Sequence, residues 1–191
     1  MLRLALLLTT LLLGACAPRP EGPPPAPTAA GIEALTRGIA DLGPGVDPEE
    51  AARAARIAKE YSHSLALAYG VTDPPLVHNT KVNLGLRPRG LCYQWADDLQ
   101  ARLAQEGFRT LTLHRAIANA DNPFRIDHST LIVSRTGDGY AEGLVLDPWR
   151  QGGVLFWAPV KSDPDYAWQP REMVLARKLT AKSVSGRAVP R

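Results

Sequence analysis

The spacing of apolar residues changes near Gly107, and this change limits the folds that the chain can adopt. Before that point apolar residues recur three or four positions apart, within 47–69 and again within 92–105. After it, β-branched and apolar residues concentrate in four short segments, which are 108–117, 128–133, 140–146 and 154–160. Helices followed by an antiparallel sheet make an α+β protein. We therefore predict N-terminal helices and one further, cysteine-bearing helix packed on an antiparallel sheet.

The first long helix has sequence signals at both ends. Asp47 precedes Pro48 and two glutamates, which is typical of an N-cap and a first helical turn, and Gly70 is a typical C-terminal stop. A shorter helix is expected before it, around 32–42. The proline-containing segment 71–90 is expected to be a loop.

The N-terminus is typical of a bacterial export signal. Arg3 precedes an apolar run of about ten residues, which is too short to span a bilayer. Gly14 and Ala15 then precede Cys16, and this run resembles the lipobox of bacterial lipoproteins, in which the cysteine is acylated and becomes the mature N-terminus. The resemblance implies a signal peptide at 1–15 and a membrane anchor through lipid on Cys16. The alternative is an ordinary secretory signal whose cleavage removes Cys16.

A proline-rich segment separates the predicted anchor from the rest of the chain. Residues 16–30 contain six prolines and almost no large apolar residue, so we expect an extended tether. The remaining residues, 31–191, are the size of one domain. In lipoproteins an aspartate directly after the cysteine usually retains the protein at the inner membrane. Ala17 stands there, which favours the outer membrane with the domain facing the periplasm.

The charges argue against a nucleic-acid partner. The chain has 22 Lys and Arg against 19 Asp and Glu, and the two signs are interspersed without a long basic run. No close ligand pair such as Cys-x-x-Cys or His-x-x-x-His occurs, so we expect no metal site and no cofactor.

Cys92 is the residue that most favours catalysis. If Cys16 carries lipid, Cys92 has no partner for an intramolecular disulfide, and a free thiol outside the cytoplasm is either buried and inert or needed as a thiolate. Its predicted position at the start of a helix offers unpaired backbone N–H groups, which stabilise a thiolate and can hold an oxyanion. His128 begins a predicted strand and Asp147 ends the next one, so the two can lie side by side. The histidine can take the thiol proton, and the aspartate can orient the ring.

Three segments resemble the transglutaminase-like branch of the papain-like cysteine enzymes. They are Gly-Leu-Cys-Tyr-Gln-Trp-Ala at 90–96, Asp-His-Ser at 127–129 and Val-Leu-Asp-Pro-Trp at 145–149. Members of that family have Cys, His and Asp in this order, with the cysteine at the head of a helix packed on an antiparallel sheet. They hydrolyse amides or transfer acyl groups. The resemblance implies that Cys92 is the nucleophile, His128 the base and Asp147 its orienting carboxylate.

Taken singly, each of these residues has an ordinary structural interpretation. Cys92 can be a small core residue, His128 a sheet residue bonded to the backbone, and Asp147 before proline a turn former. The oxyanion candidates Gln94 and Asn83, together with Asn79, can equally be polar surface. The remaining histidines are expected to be structural or exposed, and the tryptophans at 149, 157 and 168 line either a cleft or the core.

The sequence therefore predicts an enzyme of the cell envelope that acts on amide bonds through an acyl-Cys92 intermediate. Envelope proteins and peptidoglycan stem peptides are the expected substrates. Hydrolysis and acyl transfer both remain open, because they share the acyl-enzyme and differ in whether water or an amine arrives second. The alternative is a non-catalytic scaffold or binding module of the envelope that retains the fold.

Overall fold

A computed structural model describes residues 22–187, and within them the chain is an α+β protein. The predicted signal peptide and Cys16 lie outside the described residues. The helices are α1 (Ala29–Ala40), α2 (Pro48–Tyr69), α3 (Pro75–Asn83), α4 (Cys92–Ala104) and α5 (Arg171–Arg187). The strands are β1 (Leu111–Ala118), β2 (His128–Arg135), β3 (Leu144–Asp147), β4 (Phe156–Pro159) and β5 (Gln169–Pro170). None of the helices found in 22–187 is long and apolar enough to cross a membrane.

The five strands form one antiparallel sheet in the order β4-β3-β2-β1-β5. β1 and β2 pair along their full lengths, from Leu111 opposite Arg135 to Ala118 opposite His128. The first four strands therefore form a meander in which each strand pairs with the next one in the chain. The predicted α+β class is confirmed.

Helices α1, α2 and α4 cover one face of the sheet. Their buried side chains form a single cluster with the inward residues of β1, β2 and β3, among them Ile39, Ala55, Leu99, Leu131 and Leu146. Burial of this apolar surface is the main stabilising term for the fold. A smaller cluster on the opposite face includes Ala118, Ile132 and Trp168.

Both ends of α2 are formed as predicted. The Asp47 carboxylate accepts hydrogen bonds from the backbone N–H groups of Glu49 at 2.8 Å and Glu50 at 3.2 Å. At the other end Gly70 adopts a left-handed conformation with φ 66°, which a glycine tolerates without strain. Capping residues therefore mark both ends of this helix.

Part of the predicted loop 71–90 is helical instead. α3 begins at tandem prolines, which fit the first turn of a helix, and it is held by ion pairing of Lys81 with Asp73 at 2.7 Å. Only His78 among its residues is buried. The helix therefore lacks the apolar periodicity from which a helix is recognised in a sequence.

Two further predictions differ from the structure. The first half of the expected strand at 140–146 is a 3-10 turn, Tyr140–Glu142, closed by the Gly143 N–H donating to the Tyr140 carbonyl at 3.1 Å. α5 was not expected, because its exposed residues include apolar side chains and no clear apolar stripe distinguishes it.

Residues 22–28, at the end of the predicted tether, lie outside helix and strand, and the Pro24 carbonyl contacts His63 Nε2 at 3.1 Å.

Glu50 connects the first turn of α2 to the start of β1. Its buried carboxylate accepts hydrogen bonds from the N–H groups of Arg109 and Thr110, both at 2.9 Å, and from Thr110 Oγ1 at 2.6 Å. Burial raises the pKa of Glu50, but the hydrogen bonds from Thr110 and Arg109 outweigh it and hold the pKa below its usual range. The ionised carboxylate therefore stabilises the fold.

We expect Glu50→Gln to lower the free energy of unfolding by about 1–3 kcal/mol at pH 7, because an amide leaves buried donors unsatisfied. The folded-state pKa lies below the ordinary value of 4.5, so the contribution is present above that pH and is lost as the pH falls through the folded-state value. The deficit of the variant should therefore shrink in acid. Denaturant unfolding at pH 7 and below pH 4 measures both, with the exposed Glu49→Gln as the matched control.

Candidate active site

The N-terminus of α4 is closed by its own Gln94. The amide oxygen Oε1 accepts hydrogen bonds from the backbone N–H groups of Gly90 at 2.8 Å and Leu91 at 3.0 Å. The backbone N–H groups of Gln94 and Trp95 bond to the Leu91 carbonyl. The N–H groups of Cys92 and Tyr93, in the first turn, have no acceptor within the helix. The thiol of Cys92 thus sits at the positive end of the helix dipole.

A close contact between Gly90 and His78 sets the path of the chain into α4. Gly90 has φ +133°, and a Cβ atom there would lie 2.3 Å from His78 Nε2. His78 is buried, and its Nε2 atom pairs with the Arg89 carbonyl at 2.9 Å. Only glycine fits both this backbone conformation and the available space. The contact between His78 and the Arg89 carbonyl connects α3 to the segment before α4.

His128 and Asp147 form a buried pair at the ends of β2 and β3. The His128 Nε2 atom lies 2.6 Å from Asp147 Oδ2, and each side chain is 1% exposed. An ionised carboxylate only accepts hydrogen bonds, so Nε2 carries the proton. The other ring nitrogen, Nδ1, is buried and has no hydrogen-bond partner among the described residues.

The Cys92 side chain lies next to Asp127, the residue before β2, and interacts with the His128 ring. Strand alternation places His128 on the sheet face that carries Ile132 and Trp168, opposite the face that α4 covers. The thiol lies 3.7 Å from the carbonyl oxygen of Asp127, to which it can donate, and Cys92 is 8% exposed. The thiol is also near enough to His128 to affect the ionisation of the ring.

The pKa of His128 is raised to about 9. Burial lowers it, but the charge and hydrogen bond of Asp147 outweigh burial, and Cys92 acts in the same direction. The ring is therefore an imidazolium at neutral pH, with its Nδ1 proton available to the sulfur. Because the folded-state pKa exceeds the ordinary 6.5, this charge stabilises the fold fully below pH 6.5, and the contribution is lost as the pH rises through about 9.

Aromatic rings enclose His128. The ring centroids of Trp149 and Tyr166 are each 4.6 Å from that of His128, and the centroid of Trp168 is 5.4 Å away. They keep water from the ion pair, which strengthens its electrostatic interactions. Tyr166 and Trp168 also line a cavity of about 800 Å³, and Cys92 is not among its lining residues.

The remaining amide candidates occupy different positions. Asn83 ends α3 and is exposed, and the oxygen of Gln94 is engaged in the helix cap. Asn79 lies nearer the site, because its Oδ1 atom accepts a hydrogen bond at 3.0 Å from Nε1 of Trp149, a ring that packs on His128. Trp157 instead packs against Gly38 in α1.

Arg150, Asp163 and Tyr166 also belong to this site, although the sequence alone gave no prediction for them. Arg150 Nε lies 3.2 Å from Asp147 Oδ2, and its terminal nitrogens bind Asp163. The one available signal was a basic residue three positions after Asp147, which is also a common surface pattern. No group of three or more possible metal ligands occurs within 22–187.

No family model, curated protein or solved structure matches this chain. A function must therefore be inferred from the residues and geometry of the site itself. That geometry joins a thiol at a helix N-terminus to a histidine and a buried carboxylate.

We expect Gly90→Ala to lower the free energy of unfolding by about 3 kcal/mol or more, because it adds backbone strain and a clash with His78. Gly85→Ala is the matched control, since Gly85 also has positive φ but a Cβ there would meet nothing within 4 Å. That control should cost only about 1 kcal/mol. Equal losses in denaturant unfolding would show that the contact with His78 carries no energy.

Proposed function

We propose that the protein is a cysteine-nucleophile enzyme of the bacterial cell envelope that acts on amide bonds through an acyl-Cys92 intermediate. The observation that carries the proposal is the His128 ring, which bonds Asp147 through one nitrogen at 2.6 Å and leaves the other free beside the Cys92 thiol. The order Cys, His, Asp and the segments at 90–96, 127–129 and 145–149 resemble the transglutaminase-like enzymes.

In the proposed reaction the Cys92 thiolate attacks the carbonyl carbon of the substrate amide, and the carbonyl electron pair moves to oxygen. The His128 imidazolium donates its Nδ1 proton to the amine as the carbon–nitrogen bond breaks, which leaves an acyl-enzyme and a neutral ring. Water or a second amine then attacks the thioester. His128 accepts its proton, and the thiolate is released.

The oxyanion of the tetrahedral intermediate needs hydrogen-bond donors. The backbone N–H of Cys92 has no acceptor within the helix and points from the positive end of α4, which makes it the first donor. Gln94 can contribute through its NH₂ group, because its oxygen alone caps the helix. Asn79 is the second side-chain candidate, since its NH₂ group also lies opposite an engaged oxygen. Asn83 would have to reach the site from an exposed position.

The proposed substrates are envelope proteins or peptidoglycan stem peptides, reached from a lipid anchor on Cys16. The chain would face the periplasm, and the segment Leu13-Gly14-Ala15-Cys16 supports this location. No cofactor is needed for the proposed steps, because the thiol, the imidazole and backbone amides supply every group that reacts or stabilises charge.

The enclosure of the site favours a second candidate function. Cys92 is 8% exposed and His128 and Asp147 are each 1% exposed, as expected for a core that no longer performs chemistry. On this alternative the protein is an envelope scaffold or binding module that retains the fold. The reactivity of the thiol separates the two functions.

We expect Cys92 in the folded protein to react readily with iodoacetamide already at pH 6, because the His128 imidazolium and the positive end of α4 both lie beside the sulfur. Labelling is followed on the Cys92 peptide by mass spectrometry, so Cys16 does not interfere. His128→Ala should make the rate follow the ionisation of an ordinary thiol near pH 8.5. Asp147→Asn should lower the rate near pH 6, because it permits the wrong ring tautomer.

The scaffold function predicts a different outcome. A core thiol reacts slowly at every pH until the protein unfolds, and neither substitution changes the rate. Acyl transfer from p-nitrophenyl acetate gives a second measurement, in which wild type should accumulate an acetyl group on Cys92 and Cys92→Ser should not. A folded wild type without acetylation or rapid alkylation would end the catalytic proposal.

We expect Cys16→Ser to abolish incorporation of a labelled fatty acid in cells, because the serine variant lacks the sulfur to which the lipobox pathway adds lipid. Cys92→Ser is the matched control and should be labelled like wild type. Equal labelling of the wild type and the Cys16 variant would show that the chain carries no lipid at that position.

A further inference from the structure

We propose that Arg150 is a positioning residue that fixes the Asp147 carboxylate in the orientation in which Oδ2 faces the His128 ring. The inference rests on the proposed function, because positioning affects chemistry only if Cys92 and His128 carry it out. Arg150 contacts neither the thiol nor the imidazole, and it would act through Asp147.

Arg150 contacts both oxygens of the Asp147 carboxylate. Its backbone N–H donates to Oδ1 at 3.2 Å, and its Nε donates to Oδ2 at 3.2 Å. His128 Nε2 donates to that same Oδ2 at 2.6 Å. Turning the plane of the carboxylate away from this orientation would weaken both contacts with Arg150, so the plane in which an oxygen meets the ring N–H is fixed.

The guanidinium of Arg150 is itself held on its far side. Its two terminal nitrogens donate to Asp163 Oδ1 at 2.9 Å and Oδ2 at 2.7 Å, a bidentate pair. Trp168 Nε1 donates to the same Asp163 at 2.8 Å, and the Phe156 ring lies 3.8 Å from the guanidinium carbon. The Arg150 side chain is only 10% exposed. A planar guanidinium bonded on both sides holds Asp147 at a fixed position relative to Asp163. A flexible lysine ammonium group would hold it less rigidly.

A purely structural ion pair is the competing explanation. On that account Arg150 only ties the segment after β3 to the segment that carries Asp163, and its loss changes stability alone. The positioning role predicts a change in the His128 proton and in Cys92 reactivity while the protein stays folded. These readouts separate the two roles.

The test uses the full chain with Arg150→Lys, which keeps the charge but loses the planar fork. Arg125→Lys is the matched control. The Arg150 and Arg125 guanidinium carbons lie 4.6 Å and 5.3 Å from the centroid of the Tyr166 ring, but Arg125 is exposed and forms no hydrogen bond or ion pair with Asp147 within residues 22–187. Circular dichroism and denaturant unfolding establish that each variant is folded. NMR follows the His128 Nε2 proton, and iodoacetamide labelling at pH 6 follows Cys92.

We expect the lysine variant at 150 to fold, to exchange the His128 Nε2 proton faster than wild type, and to alkylate about fivefold more slowly at pH 6, a typical coupling within one hydrogen-bond network. The lysine variant at 125 should match wild type in both measurements. An unchanged proton signal and rate in folded Arg150→Lys would overturn the proposal.

Asp163→Asn provides the second variant if Arg150→Lys does not fold. It keeps an acceptor for Trp168 but removes one carboxylate oxygen from the bidentate grip on Arg150, so the same proton should exchange faster. No change in this variant would overturn the positioning role. Failure of the proposed function is distinguishable, because a wild type that alkylates like an ordinary thiol removes catalysis while the NMR signal still reports whether Arg150 orders Asp147.

Discussion

The charge of Asp147 inside the protein is the constraint on which the site depends. A buried carboxylate is costly unless charged partners surround it, and here the His128 imidazolium and the Arg150 guanidinium both contact it. Asp163 in turn balances Arg150. Two buried anions and two cations thus alternate from the start of β2 to the segment after β4, and removing any one member leaves an uncompensated charge.

The aromatic side chains surround the His128 end of this charged network with apolar surface. Trp149 connects the start of β2 to α3, because its ring packs on His128 while its Nε1 atom donates a hydrogen bond to Asn79. α3 also positions the segment that precedes Cys92, through the close contact between His78 and Gly90. A short helix with little apolar character thereby positions two separate parts of the site, and its amino acid pattern gives no indication of that role.

The parts of the fold and of the site that could be predicted are those held by interactions between residues close together in the sequence. The ends of α2 and the start of α4 were predictable, because Asp47, Gly70 and the Cys92 segment act within a few residues of themselves. The order of strands in the meander was also within reach, and His128 and Asp147 lie together as neighbouring strand ends would. Arg150 with Asp163 was not predictable, because a pairing of surface-type residues 13 positions apart has no periodic signature. The sheet face of His128 was not predictable, because β2 is buried on both faces and its sequence lacks the alternation of polar and apolar residues that would distinguish them.

The order of strands in the sheet also bears on how the chain reaches its native state. Each of the first three pairings joins strands adjacent in sequence, so the sheet that carries His128 and Asp147 can form through short loop closures at small entropic cost. The hydrogen bonds of Glu50 to Thr110 span 60 positions and can form only after α2 has found the sheet. The low contact order of the meander therefore allows the histidine–aspartate pair to assemble without the N-terminal helices already docked.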